Sequence, residues 1–296
     1  MPPSLLQPDS PTAAAFRKAA RDQKCVFFSG LPGMGKTLMM QQFLLIAAAE
    51  GRSVQLLQWD VVRERFEVGP VAIRYPEVSG VTHPGIRKAV GHWARGRVAR
   101  WHREFPGDAD LLVGEAPLIG NRLADLAREG ADEAEALLRG GRTTFFVPAP
   151  TAEVRREIER SRERETLRPR HERERANAAP ALLGKLWTEI AEMAVHFGLS
   201  PEREGATGGY QQQLYGAVYE RVLRHRNAVV LPVAEILPVT ASPHDLHPGA
   251  REITPTPAEI EEAFAVVDRL SLDELRQETA QWFHGAAASP ARAAGT

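Results

Sequence analysis

The sequence predicts an α/β fold, a three-layer arrangement of about five mainly parallel strands between helices, and three observations carry the prediction. A compact β-rich run at Cys25–Ser29 is followed at once by a glycine-rich turn and an apolar helix from 36 to about 50. Further β-rich runs at 53–59, 110–114, 143–147 and 228–233 alternate with stretches of helical periodicity. Strand, helix, strand at this spacing is a βαβ unit, which demands parallel pairing and a right-handed crossover.

Composition agrees with a globular domain. The chain has 296 residues, 43% hydrophobic and 25% charged, with a formal net charge of −1. So even a balance argues against a protein whose main task is coating nucleic acid. Cys25 is the single cysteine, so no internal disulfide forms, and it lacks the spaced partners of a zinc site. Its apolar neighbours, Val26, Phe27 and Phe28, mark it as a buried strand residue. No apolar run approaches the roughly 18 residues that cross a bilayer. The start, Met1-Pro2-Pro3-Ser4, lacks the basic and apolar regions of a secretory signal. No membrane partner and a cytoplasmic location are therefore expected.

Residues 1–23 read as an N-terminal extension, loose at first and then helical over 11–22. Gly51 is placed to close the first long helix in a left-handed cap. Residues 61–83, with Gly69-Pro70, Tyr75-Pro76 and His83-Pro84, read as an irregular connection. Ile86, Val90, Trp93, Val98, Trp101 and Phe105 then recur at helical spacing, with the tryptophans expected in the core and Arg87, Arg95, Arg100 and Arg103 in solvent. A helical stretch follows through Leu123 and Leu126, and another helix begins near Thr151 with Glu153 in its first turn. Residues 155–175 are dense in Arg and Glu and broken at Pro169. Two helices follow, through Leu182–Phe197 positions and through Tyr210, Leu214, Val218 and Leu223. A helix from 257 to about 270, a shorter one and a small-residue tail after Gly285 close the chain. The organisation expected is a main domain over 24–235, with a lid at about 155–180, and a C-terminal helical extension with a flexible tail over 236–296.

The chemistry is concentrated in Gly30-Leu31-Pro32-Gly33-Met34-Gly35-Lys36-Thr37. Gly30, Gly33 and Gly35 permit a backbone path along which consecutive amides, that of Met34 included, converge on an anion. The helix starting at Lys36 aims its N-terminal amides at the same place. Lys36 is expected on the β- and γ-phosphates of a nucleotide and Thr37 on Mg²⁺. A strand before and a helix after are the setting this motif requires.

Two acids follow strands. Glu115 is assigned to the metal or its water. Asp60 is positioned to accept or orient an acceptor hydroxyl, or alternatively to cap a helix over 61–66. Arg63, three residues on, suits an anionic substrate group. Arg160 and Arg164 lie four apart on one helical face, and Arg168 and Arg170 flank Pro169, so arginines of this segment are candidates to close over a transferring phosphoryl group. A solvated helix laced by pairs such as Glu153/Arg156 and Glu159/Arg162 is the competing explanation.

The loop, together with Asp60-Val-Val-Arg63 after the second strand and the Arg-rich segment after the fourth, resembles the P-loop NTPase superfamily, in its branch of small-molecule and nucleotide kinases. Within that branch it is most similar to zeta-toxin, chloramphenicol-phosphotransferase and polynucleotide-kinase-like proteins, over roughly residues 24–235. The resemblance implies ATP or another NTP as donor, a five-stranded parallel core, Asp60 as base or hydroxyl orienter, a lid of arginines from 155–170 and a small-molecule or nucleotide acceptor. An NTP-hydrolysing switch or ATPase module acting on a protein or nucleic-acid partner is the alternative, and a module holding nucleotide only as a structural ligand is a third. Basic stretches at 87–103 and 155–175 keep nucleic acid as a minority acceptor.

Overall fold

Every residue of β1 (Cys25–Ser29) is buried, and a strand that is apolar on both faces needs cover on both. The computed structural model describes residues 4–78, 80–169, 171–176, 180–200, 209–238, 242–245 and 249–284. It places β1 inside a single open sheet, with β2 (Ser53–Gln58), β3 (Asp110–Ala116), β4 (Thr143–Pro150), β5 (Ala228–Val233) and β6 (Arg251–Glu252) in the order β5-β4-β1-β3-β2-β6. All neighbouring strands are parallel.

The α/β expectation holds, but the sheet has six strands rather than five. The addition, β6, is two exposed residues long and pairs at the edge with Gln55 and Leu56. Arg-Glu carries no β pattern, so only its docking on β2 makes it a strand. β3 and β4 run longer than their apolar centres: Glu115 lies inside β3, and Pro148 and Pro150 lie inside β4. Those prolines are beyond the last residue paired with β1 and face only β5, where one missing donor is tolerated.

The alternation of β1 divides the core. Val26 and Phe28 meet the layer of α1 (Pro11–Asp22) and α2 (Lys36–Ala49), where Phe16 of α1 packs at 5.1–5.7 Å from Phe28, Phe43 and Phe146 when ring centroids are compared. Cys25 and Phe27 face the larger layer on the other side. Ser10 caps α1 by accepting from the Ala13 amide, and Gly51, at φ +76°, closes α2 as expected.

Residues 61–83 are less irregular than their sequence suggests. They carry most of α3 (Trp59–Phe66) and all of α4 (Pro70–Arg74). Next comes α5 (Pro84–Glu104), with Trp93 and Trp101 in the core as expected. Arg87 and Arg95, expected in solvent, are buried at 7% and 8% exposure. Arg95 is accommodated because it donates to Asp132, Glu135 and two carbonyls, which removes the penalty of a bare guanidinium. The stretch through Leu123 and Leu126 is a single 3-10 turn over Ala124–Leu126, followed by α6 (Glu133–Arg139), which the sequence did not announce.

The remaining helices are α7 (Ala152–Leu167), α8 (Pro180–His196), α9 (Gln212–Val222), α10 (Pro257–Val267) and α11 (Leu272–Ala280). Thr151 caps α7 on the Val154 amide. Arg170 and the tail after Gly285 lie outside the described residues. Among the described residues no helix is long and apolar enough to cross a membrane.

Candidate functional site

Six residues must carry the chain from the end of β1 into α2, and three of them are glycines at φ +132° (Gly30), +79° (Gly33) and +80° (Gly35). The space at Gly30 is as restrictive as its angle, because a Cβ there would overlap the Tyr215 hydroxyl. That hydroxyl accepts from the Leu31 amide at 3.2 Å and so holds the start of the loop. Gly35 precedes α2 in the left-handed region with no side-chain cap, so the first amides of α2 keep their donors for a ligand.

Lys36 and Thr37 open α2 and converge on one carboxylate. Thr37 Oγ1 donates to Glu115 Oε2 at 3.0 Å, and Lys36 Nζ lies 3.4 Å from Glu115 Oε1 while donating to the Leu31 carbonyl at 3.0 Å. The parallel register explains the meeting, since Glu115 is opposite Phe28 on β1 and Gln58 on β2. Burial pulls the Lys36 ammonium below the usual lysine range, with Glu115 and Asp60 opposing the fall and Arg162 adding to it.

Asp60 is exposed, in the first turn of α3. The cap position of α3 is Gln58, which makes no side-chain cap bond, so the helix-cap role expected as an alternative for Asp60 is not observed. Its charge acts on both Lys36 and Arg122. Arg63 lines the same cleft but is already engaged, donating to Glu67 Oε2 at 2.8 Å and Glu77 Oε2 at 3.3 Å.

These groups border one cleft of about 910 Å³, which runs from the end of β5 and Ile236 past the glycine-rich loop to Asp60, Arg63 and Arg122. α7 arches over the loop and brings two arginines of the expected 155–170 segment, Arg162 and Arg164, to the cleft, but not Arg160. Arg160 is 65% exposed, paired with Glu157 at 3.1 Å, and takes no part in the cleft wall. Arg164 borders the cleft but is also exposed and bound to Glu157 at 3.0 Å. Arg162 is the arginine over the loop, its Nη1 lying 3.2 Å from where a Gly33 Cβ would stand. A signal for it existed: Ile158, four residues earlier, is an apolar residue among the charges of the run, and it too reaches the loop at Gly35.

Arg122 had no sequence signal. It is carried by the turn after β3, where Leu118, Gly120, Asn121 and Leu123 all have φ between +46° and +63°. Three non-glycine residues in that region store strain that the surroundings must hold. Tyr219 Oη donates to the Pro117 carbonyl at 3.2 Å, Arg87 Nη1 donates to the Gly120 carbonyl at 2.8 Å, and the Gly120 amide donates to Glu189 at 3.0 Å. Burial lowers the Arg122 guanidinium from its ordinary range, with Glu189 and Asp60 countering.

The arrangement suits an oxyanion with a hard divalent cation. The loop offers backbone donors and Lys36, while Thr37 and Glu115 offer adjacent oxygens of the kind Mg²⁺ takes alongside phosphate and water. Among the described residues no three His, Cys, Asp or Glu side chains are grouped so as to hold a metal ion by themselves. No family model matches the chain, and neither does any curated protein or solved structure.

Proposed function

We propose that the chain is a P-loop kinase that transfers the γ-phosphoryl group of ATP, or of another NTP, to a hydroxyl of a small-molecule or nucleotide acceptor. The observation that carries the reading is the meeting of Lys36 and Thr37 on Glu115, in a cleft that Asp60 enters from the neighbouring strand end. When bound, Mg²⁺ would neutralise developing charge on the transferred group, with Thr37 and Glu115 as its protein-side oxygens.

The protein's own groups divide the remaining work. Amides of residues 33–37 and Lys36 hold the donor's phosphates and stabilise charge on them. Asp60 takes the proton of the acceptor hydroxyl as that oxygen bonds to phosphorus and the bond to the nucleoside diphosphate breaks. Arg162 from α7 adds positive charge above the loop, and the α7 cover limits water, which otherwise competes as acceptor.

The test is incubation of the chain with γ-labelled ATP, Mg²⁺ and a metabolite extract. Label is expected on an organic product. Lys36→Ala should abolish nucleotide binding, and Asp60→Asn should keep it while lowering kcat by about 10²- to 10⁴-fold. Inorganic phosphate as the sole labelled product would replace the kinase with a hydrolase.

A further inference from the structure

On the far side of the 117–123 turn lies a second cavity, of about 660 Å³, bordered by Pro76, Val78, the stretch 81–84, the start of α5, α8 and α11. It adjoins the nucleotide cleft. Thr82 borders both, and the turn presents Gly120 to one and Arg122 to the other. Its wall is basic on balance, with Arg87, Lys185 and Arg276 against Glu189 and Glu192. Glu189 Oε1 is already occupied by the Gly120 amide and by Trp282 Nε1 at 2.6 Å.

Arg87 is the centre of the site. Its Nε and Nη1 are spent on the carbonyls of Thr82, which borders both cavities, and of Gly120 in the turn between them. Among the described residues its hydrogen bonds go to carbonyls and none to a carboxylate, although it is only 7% exposed. Burial lowers its pKa to about 10, nearby Arg122 adds to the effect, and the Glu189 charge opposes it. A desolvated guanidinium with no carboxylate in direct contact is costly, and an oxyanion arriving at its remaining N–H groups would relieve that cost beyond what the more distant Glu189 charge does. The Thr279 hydroxyl, also on this wall, is buried without a partner, while Val78, Val81 and Leu272 supply apolar surface.

We infer that this cavity holds the body of the acceptor, which bears a phosphate ester or carboxylate seated on Arg87 and extends a hydroxyl past Thr82 to Asp60. The inference rests on the kinase reading. Any acceptor seated there meets Gly120 of the same turn that presents Arg122 to the nucleotide cleft.

The test separates a metabolite extract by anion exchange and offers each fraction to the full chain with γ-labelled ATP and Mg²⁺. Label is expected only on compounds from the retained, anionic fractions. Prior phosphatase treatment that abolishes this acceptor assigns a phosphate ester, and an acceptor that survives it assigns a carboxylate. Lys185→Ala and Arg276→Ala, both on exposed side chains, should each raise the acceptor KM roughly two- to fivefold at unchanged ATP KM. Arg87→Lys should raise it tenfold or more, on the order expected when a forked donor becomes a point charge. Label on neutral or cationic compounds, or an acceptor KM unmoved by both surface variants, overturns the acceptor site and leaves the kinase standing. Absence of any labelled organic product removes both.

Discussion

Gly30 shows how one position can be constrained twice. Its φ of +132° excludes a side chain by backbone geometry, and the Tyr215 hydroxyl excludes one by volume. Gly30→Ala should therefore lower stability by about 1–3 kcal/mol, read as a fall in the urea midpoint. Adding Tyr215→Phe should recover part of the loss, since the overlapping oxygen is gone, even though the Leu31 amide loses its acceptor. A double variant no better than Gly30→Ala would show that backbone strain is the whole effect. Cys25 is the opposite case, a reactive atom type made inert by position. It is fully buried, and burial pushes its thiol up to about 12. A thiol reagent should leave the native protein unmodified and label one site per chain only in denaturant.

Packing between elements turns on groups whose roles a periodicity cannot reveal. Arg95 of α5 donates to Asp132 Oδ2 at 2.5 Å and Glu135 Oε2 at 2.6 Å, and Arg226, just before β5, donates to Glu135 Oε1 at 2.9 Å. Burial pushes both carboxyls up, and the hydrogen bonds from Arg226 and Arg95 to Glu135, and from Arg95 to Asp132, outweigh it, so both groups sit below the usual carboxylate range. Depressed carboxyl pKa values stabilise the fold above the unfolded values of about 4, and the contribution is lost as pH falls through the folded ones. Urea midpoints should accordingly hold from pH 7 to about 5 and drop below about 4. Arg95→Met should cost roughly 3 kcal/mol at neutral pH and shrink the acid-side drop. An unchanged acid limb in that variant would remove the network from the explanation. The helical period of α5 was legible from Ile86, Val90 and Trp93, whereas the burial of Arg95 was not, because its partners come from α6 and the turn before it.

The molecule as a whole is closed by its last described residues. β6 adds to the edge of β2, and α10 packs on α5, with Phe264 stacked on Tyr75 at 5.2 Å between centroids and 5.8 Å from Phe66. Tyr75 Oη donates to Asp268 Oδ1 at 2.8 Å, and Trp282 reaches Glu189 beneath the 117–123 turn. The segment after 250 thus braces both the 59–83 connection and the wall of the second cavity. Phe264→Ala should cost about 3–5 kcal/mol, measured by chemical unfolding. A loss well below 1 kcal/mol would mean that α10 is only loosely docked.

Within the fold, the residues alone were enough for the order of the first five strands, the bounds of β1 and β5, the helices α1, α2, α7 and α10, and the glycine-rich turn between β1 and α2. Each follows from local causes: apolar periodicity, cap residues, and backbone angles that few residues but glycine adopt. The sequence also marked Lys36, Thr37, Asp60 and Glu115 as strand-end or loop groups, because position after a strand is itself a local property. Only the tertiary structure decided which of these meet. Parallel register put Glu115 between Lys36 and Thr37, α3 took its cap at Gln58 and left Asp60 uncommitted to that role, and the Arg-rich helix presented Arg162 to the loop while leaving Arg160 in solvent. Arg122, Arg87 and β6 were hidden for the same reason. Their burial and partners are set by residues tens of positions away in the chain, and no window of sequence contains both sides of those contacts.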